Sequence, residues 1–152
     1  MRERRLHLAS PDDAASLGAR IAAQLEAGDA VLLEGDLGAG KTTLARAIIA
    51  ALTGETDAPS PTYTLVQSYE TDSGFGLLHA DLYRLEDAGE LDELGLDEAL
   101  DQGAALIEWP DRLGAWRPAD RLEIRLEETG DGGRDVRLNA HGSWETRLDA
   151  LA

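Results

Sequence analysis

Two short runs of unbroken apolar residues stand out along the chain: Ala30-Val31-Leu32-Leu33-Glu34 and Ala104-Ala105-Leu106-Ile107-Glu108. Each is strand-length, lacks alternation and ends on an acid, the pattern of a strand buried on both faces of a parallel sheet. Elsewhere the pattern does alternate. Leu122, Ile124 and Leu126 are separated by polar residues, as are Val136 and Leu138 beyond the Gly-rich turn at 130–133. This pair predicts an antiparallel hairpin beside the central sheet. Residues 64–69 and 77–81 read as strands joined by the turn Thr71-Asp72-Ser73-Gly74, and residues 4–9 as an edge strand.

Leu17, Ile21 and Leu25 recur at fourfold spacing, so they share one helix face. Ser10-Pro11-Asp12-Asp13 opens that helix with a cap hydroxyl, a proline at the first position and carboxylates against the dipole; Gly28 closes it. A second helix is expected over residues 42–52, ending near Gly54, a partly helical acidic stretch over 86–101, and a closing helix over 143–151. Interleaved strands and helices predict an α/β fold in one domain over residues 1–152, with parallel central strands, flanking antiparallel strands and helices on both faces.

Between the first buried strand and the second helix lies Gly35-Asp36-Leu37-Gly38-Ala39-Gly40-Lys41-Thr42, which fits G-x-x-x-x-G-K-[ST] at every constrained position. Each residue type has a task. Backbone N–H groups of the glycine-rich turn wrap phosphate oxygens, the ammonium neutralises the β/γ charge, and the hydroxyl ligates Mg²⁺. The following helix points its positive end at the anion. Lys41 is the chain's one lysine, and random ordering of this composition gives the pattern in about one chain in a thousand. The fold is therefore expected to be P-loop NTPase-like, with a nucleoside triphosphate site.

Such a loop needs an acid at the end of a neighbouring strand. Asp81, ending Leu77-Leu78-His79-Ala80-Asp81, competes with Glu108. Glu108 has the stronger claim because its apolar strand places the carboxylate at the sheet's C-terminal edge, where α/β ligands bind. The loop Pro59-Ser60-Pro61-Thr62-Tyr63-Thr64 combines stiffening prolines with two threonine hydroxyls, which suits a γ-phosphate-sensing switch or, equally, a plain turn. His79 reads as a packed or hydrogen-bonded strand residue rather than a proton-transfer group, and it shares a strand face with Asp81, which suits orienting that acid. Trp109, directly after Glu108, is either core or a lid on the site. Trp116 and Trp144 read as packing; Arg84 and Arg112 are each candidate phosphate partners, with surface ion pairs to the many acids the favoured use.

Composition narrows the remaining options. The 152 residues are 43% apolar with no cysteine, which excludes disulfide frameworks, thiol catalysis and zinc ribbons. No signal-peptide core precedes the first strand and no apolar run approaches membrane-spanning length, so a soluble, cytoplasmic protein with no membrane partner is expected. A net charge of −16 disfavours independent, tight nucleic-acid binding. It serves solubility or forms an acidic docking face.

Taken in order, GDLGAGKTT (35–43), SPTYTLV (60–66), HADLYR (79–84), ELG (93–95) and IEWP (107–110) closely resemble the TsaE family, formerly YjeE, over about residues 5–140. The resemblance implies an ATP-binding, weakly hydrolysing Mg²⁺-dependent ATPase. Its partner would be a TsaB–TsaD complex that installs threonylcarbamoyladenosine in tRNA, with tRNA engaged indirectly. It implies that Thr42 and Glu108 ligate Mg²⁺, that Gly38, Ala39, Gly40, Lys41, Thr42 and Thr43 hold the phosphates, and that Thr62 lies in the switch-like loop. Asp81 and Lys41 would serve hydrolysis, Trp109 and Arg134 would lie near the nucleotide, and Ser10 on the adenine side.

Two other function classes fit a phosphate loop. A small-molecule kinase needs an acceptor pocket and usually an arginine-bearing lid, and no compact Arg-rich segment lies between the motifs. A non-catalytic, nucleotide-gated assembly factor would share the binding residues. A GTP switch with an N-K-x-D guanine signature is excluded, because the single lysine is already in the loop.

Overall fold

The strands Ala30–Glu34 (β2) and Gly103–Glu108 (β5) form as their apolar runs require, side by side and parallel, with Leu33 opposite Glu108. The computed structural model describes residues 1–36, 38–55, 66–85, 89 and 94–151. The other strands are Arg2–Leu8 (β1), Val66–Glu70 (β3), Gly76–Asp81 (β4), Arg121–Glu128 (β6) and Arg134–His141 (β7). They assemble into a seven-stranded sheet of order β1-β7-β6-β2-β5-β4-β3. β6, β2, β5 and β4 run parallel, and antiparallel pairs β6–β7, β1–β7 and β3–β4 flank them. β6 thus belongs both to the expected hairpin and to the parallel core.

β2 and β5 bury both faces. Val31 and Leu33 join one core with Leu17 and Ile21 of helix α1 (Pro11–Gln24) and Leu44, Ile48 and Ile49 of helix α2 (Lys41–Thr53). Ala30, Leu32, Ala105 and Ile107 face the other way, against Leu96 of α3 (Leu96–Gln102) and Leu113 of the 3-10 turn Pro110–Leu113. The helices therefore lie on both faces of the sheet, which makes the fold the expected α/β, P-loop NTPase-like one.

The start of α1 follows its sequence signal. Ser10 is extended and its hydroxyl accepts from the Asp13 N–H at 3.4 Å, while the Asp13 carboxylate accepts from the Ala9 N–H at 2.8 Å. The helix stops at Gln24, earlier than the expected Gly28. The Asp29 carboxylate takes the Glu26 N–H at 2.7 Å and is clamped by both terminal nitrogens of Arg147, at 2.7 and 2.9 Å. The expected C-terminal helix is a short α4 (Trp144–Arg147) running into a 3-10 turn at Leu148–Leu151, with Trp144 fully buried as packing requires. Residues 64 and 65 of the third expected strand, the switch-like loop 59–64 with Thr62, and residues 86–88 and 90–93 of the acidic stretch lie outside the described residues.

Candidate functional site

The parallel strands β2, β5 and β4 end together, so the loop after β2 and the acids ending β5 and β4 meet at one edge. Asp81 is directly opposite Glu108 in the β4–β5 register. Gly35 begins the loop at φ 146°, and a Cβ there would come within 2.5 Å of the Leu126 carbonyl oxygen, so only glycine lets the loop leave β2 this close to β6. Gly38, Gly40, Lys41, Thr42 and Thr43 then line a cleft of about 410 Å³ whose other walls include Asp81, Tyr83, Glu108, Trp109 and Arg134.

Thr42 and Glu108 are joined directly: the hydroxyl donates to Glu108 Oε1 at 2.8 Å. The other carboxylate oxygen, Oε2, is 2.7 Å from His79 Nε2. Glu108 is 2% exposed and His79 not at all. Sequence alternation had paired His79 with Asp81, two residues along the same strand. The structure gives its nitrogen to Glu108 on the neighbouring strand, which lies diagonally across the β4–β5 register. Asp81, 7% exposed, accepts the Tyr83 N–H at 3.0 Å and borders the same cleft.

Lys41 is 5% exposed, and its ammonium donates to the carbonyls of Gly35 and Asp36 at 2.5 and 2.9 Å. Burial pulls its pKa below the ordinary lysine value, and the carboxylates of Glu108, Asp81 and Asp36 oppose that shift. Trp109 covers it, with Nζ 4.2 Å from the ring centroid, and tilts against Tyr83 at 4.9 Å. Trp109 holds φ 61°, ψ 56°, the one positive-φ non-glycine among the described residues. A following proline favours extended backbone, so Pro110 does not account for this conformation; the Trp109 N–H bonds the Leu33 carbonyl at 3.2 Å. Strained backbone of this kind costs about 1–3 kcal/mol and clusters where function needs it. Trp109 thus covers Lys41 while packing against the core around Ile107 and Leu113.

Arg134, at the start of β7, reaches the loop: Nε donates to the Ala39 carbonyl at 2.9 Å and Nη2 to that of Gly38 at 3.3 Å. Beside it a smaller recess of about 140 Å³, mostly apolar, is lined by Leu8, Ser10, Ala39, Thr43, Leu44 and Leu126 among others, and shares Gly40, Thr43 and Arg134 with the main cleft. Ser10 is therefore brought beside the phosphate loop. Thr62 lies outside the described residues. Tyr83 was not singled out from the sequence as a wall of the site; its place two residues after a strand-end acid was the available signal. A third recess, of about 410 Å³ among Arg5, His7, Arg125 and Arg137, lies on the far face of β1, β7 and β6 and contains neither the loop nor the hydroxyl–carboxylate pair.

The donor set fits a hard cation. Among the described residues no three His, Cys, Asp or Glu side chains form a self-sufficient cage. A hydroxyl and one carboxylate fill only part of an octahedron, and Mg²⁺ takes its remaining ligands from phosphate and water oxygens. Thr42 and Glu108 are the residues that can hold it. No helix among the described residues is long and apolar enough to cross a membrane.

Comparison with known proteins places the chain in a family. The family model described as threonylcarbamoyl adenosine biosynthesis protein TsaE matches residues 8–136. The chain is 35% identical over 144 residues to the tRNA threonylcarbamoyladenosine biosynthesis protein TsaE of Bacillus subtilis (strain 168), covering 94% of this chain and 89% of the relative. With the protein of the same description from Mycobacterium leprae (strain TN) it shares 40% over 142 residues, 88% of this chain and 85% of the other. The crystal structure of Bacillus subtilis YdiB superposes with a TM-score of 0.80 at 31% identity, covering 99% of this chain and 94% of that one. A phosphate loop, a strand-end glutamate bonded to its threonine and a tryptophan over its lysine thus sit in a sequence and a fold that the family shares: the chain belongs to the TsaE family of threonylcarbamoyl adenosine biosynthesis proteins.

Proposed function

We propose that this protein binds ATP with Mg²⁺ at the Lys41–Thr42–Glu108 cleft, hydrolyses it weakly when alone, and supports threonylcarbamoyladenosine modification of tRNA together with a TsaB–TsaD complex. The observation that carries the reading is the 2.8 Å bond between Thr42 and Glu108 beside the buried Lys41. That pairing of hydroxyl and acid, at the mouth of a phosphate loop, is the arrangement phosphoryl chemistry requires.

The chain's own residues divide the work. Lys41 exchanges its bonds to the Gly35 and Asp36 carbonyls for phosphate oxygens, and the N-terminus of α2 adds its dipole. Arg134 braces the loop through the Gly38 and Ala39 carbonyls and borders both recesses, so its guanidinium is within reach of the nucleotide. The apolar recess beside Ser10 and Leu44 suits the flat face of a base. Asp81, opposite Glu108, is placed to orient the attacking water or take its proton. Trp109, over Lys41, excludes solvent. Mg²⁺, when bound, supplies charge neutralisation for the phosphates.

ATP hydrolysis measured with and without TsaB and TsaD separates the readings. A slow rate that rises on adding both partners is expected. Transfer of phosphate to a small acceptor favours the kinase, and nucleotide-dependent association without any turnover favours the assembly factor.

A further inference from the structure

His79 is fully buried in the middle of β4, yet among the described residues its ring makes a single polar contact, from Nε2 to Glu108 Oε2 at 2.7 Å. Nδ1 has no hydrogen-bond partner among the described residues. A buried polar ring with one nitrogen unpaired is a poor choice for packing alone, where a leucine would fill the space without a desolvation cost. The bond pattern also fixes the tautomer. A proton on Nδ1 would be a buried donor with no acceptor, whereas a proton on Nε2 meets a carboxylate oxygen.

The two oxygens of Glu108 are therefore divided. Oε2 is held inside the sheet by the imidazole, and Oε1 faces the cleft with the Thr42 hydroxyl 2.8 Å away. While the imidazole keeps Oε2, the carboxylate cannot turn both oxygens toward a cation. That restriction bears on ion choice. Mg²⁺ keeps a near-ideal octahedron and takes carboxylates one oxygen at a time, whereas Ca²⁺ readily accepts bidentate carboxylates and more ligands.

We propose that His79 is a positioning residue that restricts Glu108 to one donor oxygen and thereby sets the preference of this site for Mg²⁺ over Ca²⁺. The inference rests on the reading of Thr42 and Glu108 as the cation-holding pair and adds the residue that gives the pair its selectivity.

The test uses the full chain with a non-hydrolysable ATP analogue, reading thermal stabilisation while Mg²⁺ or Ca²⁺ is titrated. The ratio of the two titration midpoints, taken within one protein, does not move with a general loss of stability. The unmodified protein should favour Mg²⁺. His79→Leu should shift the ratio toward Ca²⁺ by about tenfold or more, the scale on which outer partners of metal ligands act. His79→Gln, whose amide nitrogen reaches the position of Nε2, should restore the original ratio. His79→Asn, which reaches only the position of Nδ1, should behave as His79→Leu does, and the Asn and Gln pair decides the matter where leucine prevents folding. An unchanged ratio in His79→Leu or His79→Asn, with nucleotide still bound, overturns the role of His79 alone. Absence of any metal-dependent stabilisation in the unmodified protein overturns the underlying reading and the selectivity proposal with it.

Discussion

A buried ammonium that feels the charge of three carboxylates and is capped by an indole centres the chemistry of the site. Burial lowers the Lys41 pKa, the charges of Glu108, Asp81 and Asp36 oppose that shift, and the Trp109 face adds a cation–π contact. Glu108 differs from the other two acids in being bonded to the Thr42 hydroxyl. Glu108→Gln keeps the shape but removes the charge that a divalent ion needs. Hydrolysis should fall by about two orders of magnitude or more, with nucleotide binding better preserved. Wild-type turnover in Glu108→Gln would transfer the role to Asp81.

Among the elements, α1 and α2 approach so closely that no side chain fits between them at Gly18. A Cβ there would lie 2.6 Å from the Ala47 Cβ. Gly18→Val should destabilise the fold by about 1–3 kcal/mol through overpacking, which at this size lowers the melting midpoint by several degrees, at about 2–4 °C per kcal/mol. An unchanged midpoint would mean that the helices stand further apart. Gly18 also marks what sequence periodicity leaves out. Leu17 and Ile21 announced the buried stripe of α1, but the depth of its contact with α2 depends on a residue 29 positions away in the chain. The same holds for the end of α1, where Arg147 fixes Asp29 from the C-terminal helix. At the site, the loop and Glu108 were legible because backbone spacing and an apolar strand dictate them locally. The partner of His79 was not, because alternation within one strand points to Asp81, whereas strand pairing brings Glu108. Trp109 as a cover was legible only as one of two options, because its contact with Lys41 depends on where the chain turns after β5.

For the molecule as a whole, the net charge of −16 is concentrated in part in the stretch 86–101, with eight acids and no intervening base. Of its described members, Asp97 accepts the Trp116 indole N–H at 2.8 Å, and Glu98 and Asp101 are exposed on α3. If this stretch meets a basic face of the TsaB–TsaD complex, Glu90, Glu93 and Glu98 changed together to Gln should slow association and flatten its salt dependence while leaving ATP binding intact. An unchanged rate and salt slope would return the stretch to solvated surface. The central claim, that the loop at 35–42 is a nucleotide site, is tested most directly by the melting of the whole chain with and without Mg²⁺–ATP. Ligand at a hundredfold excess over Kd stabilises a fold by about 2.7 kcal/mol, and no second lysine can replace Lys41. ATP should raise the midpoint of the unmodified protein by several degrees, and Lys41→Ala should melt as a folded protein with that increment lost. A Lys41→Ala variant stabilised by ATP as fully as the unmodified chain would contradict the account.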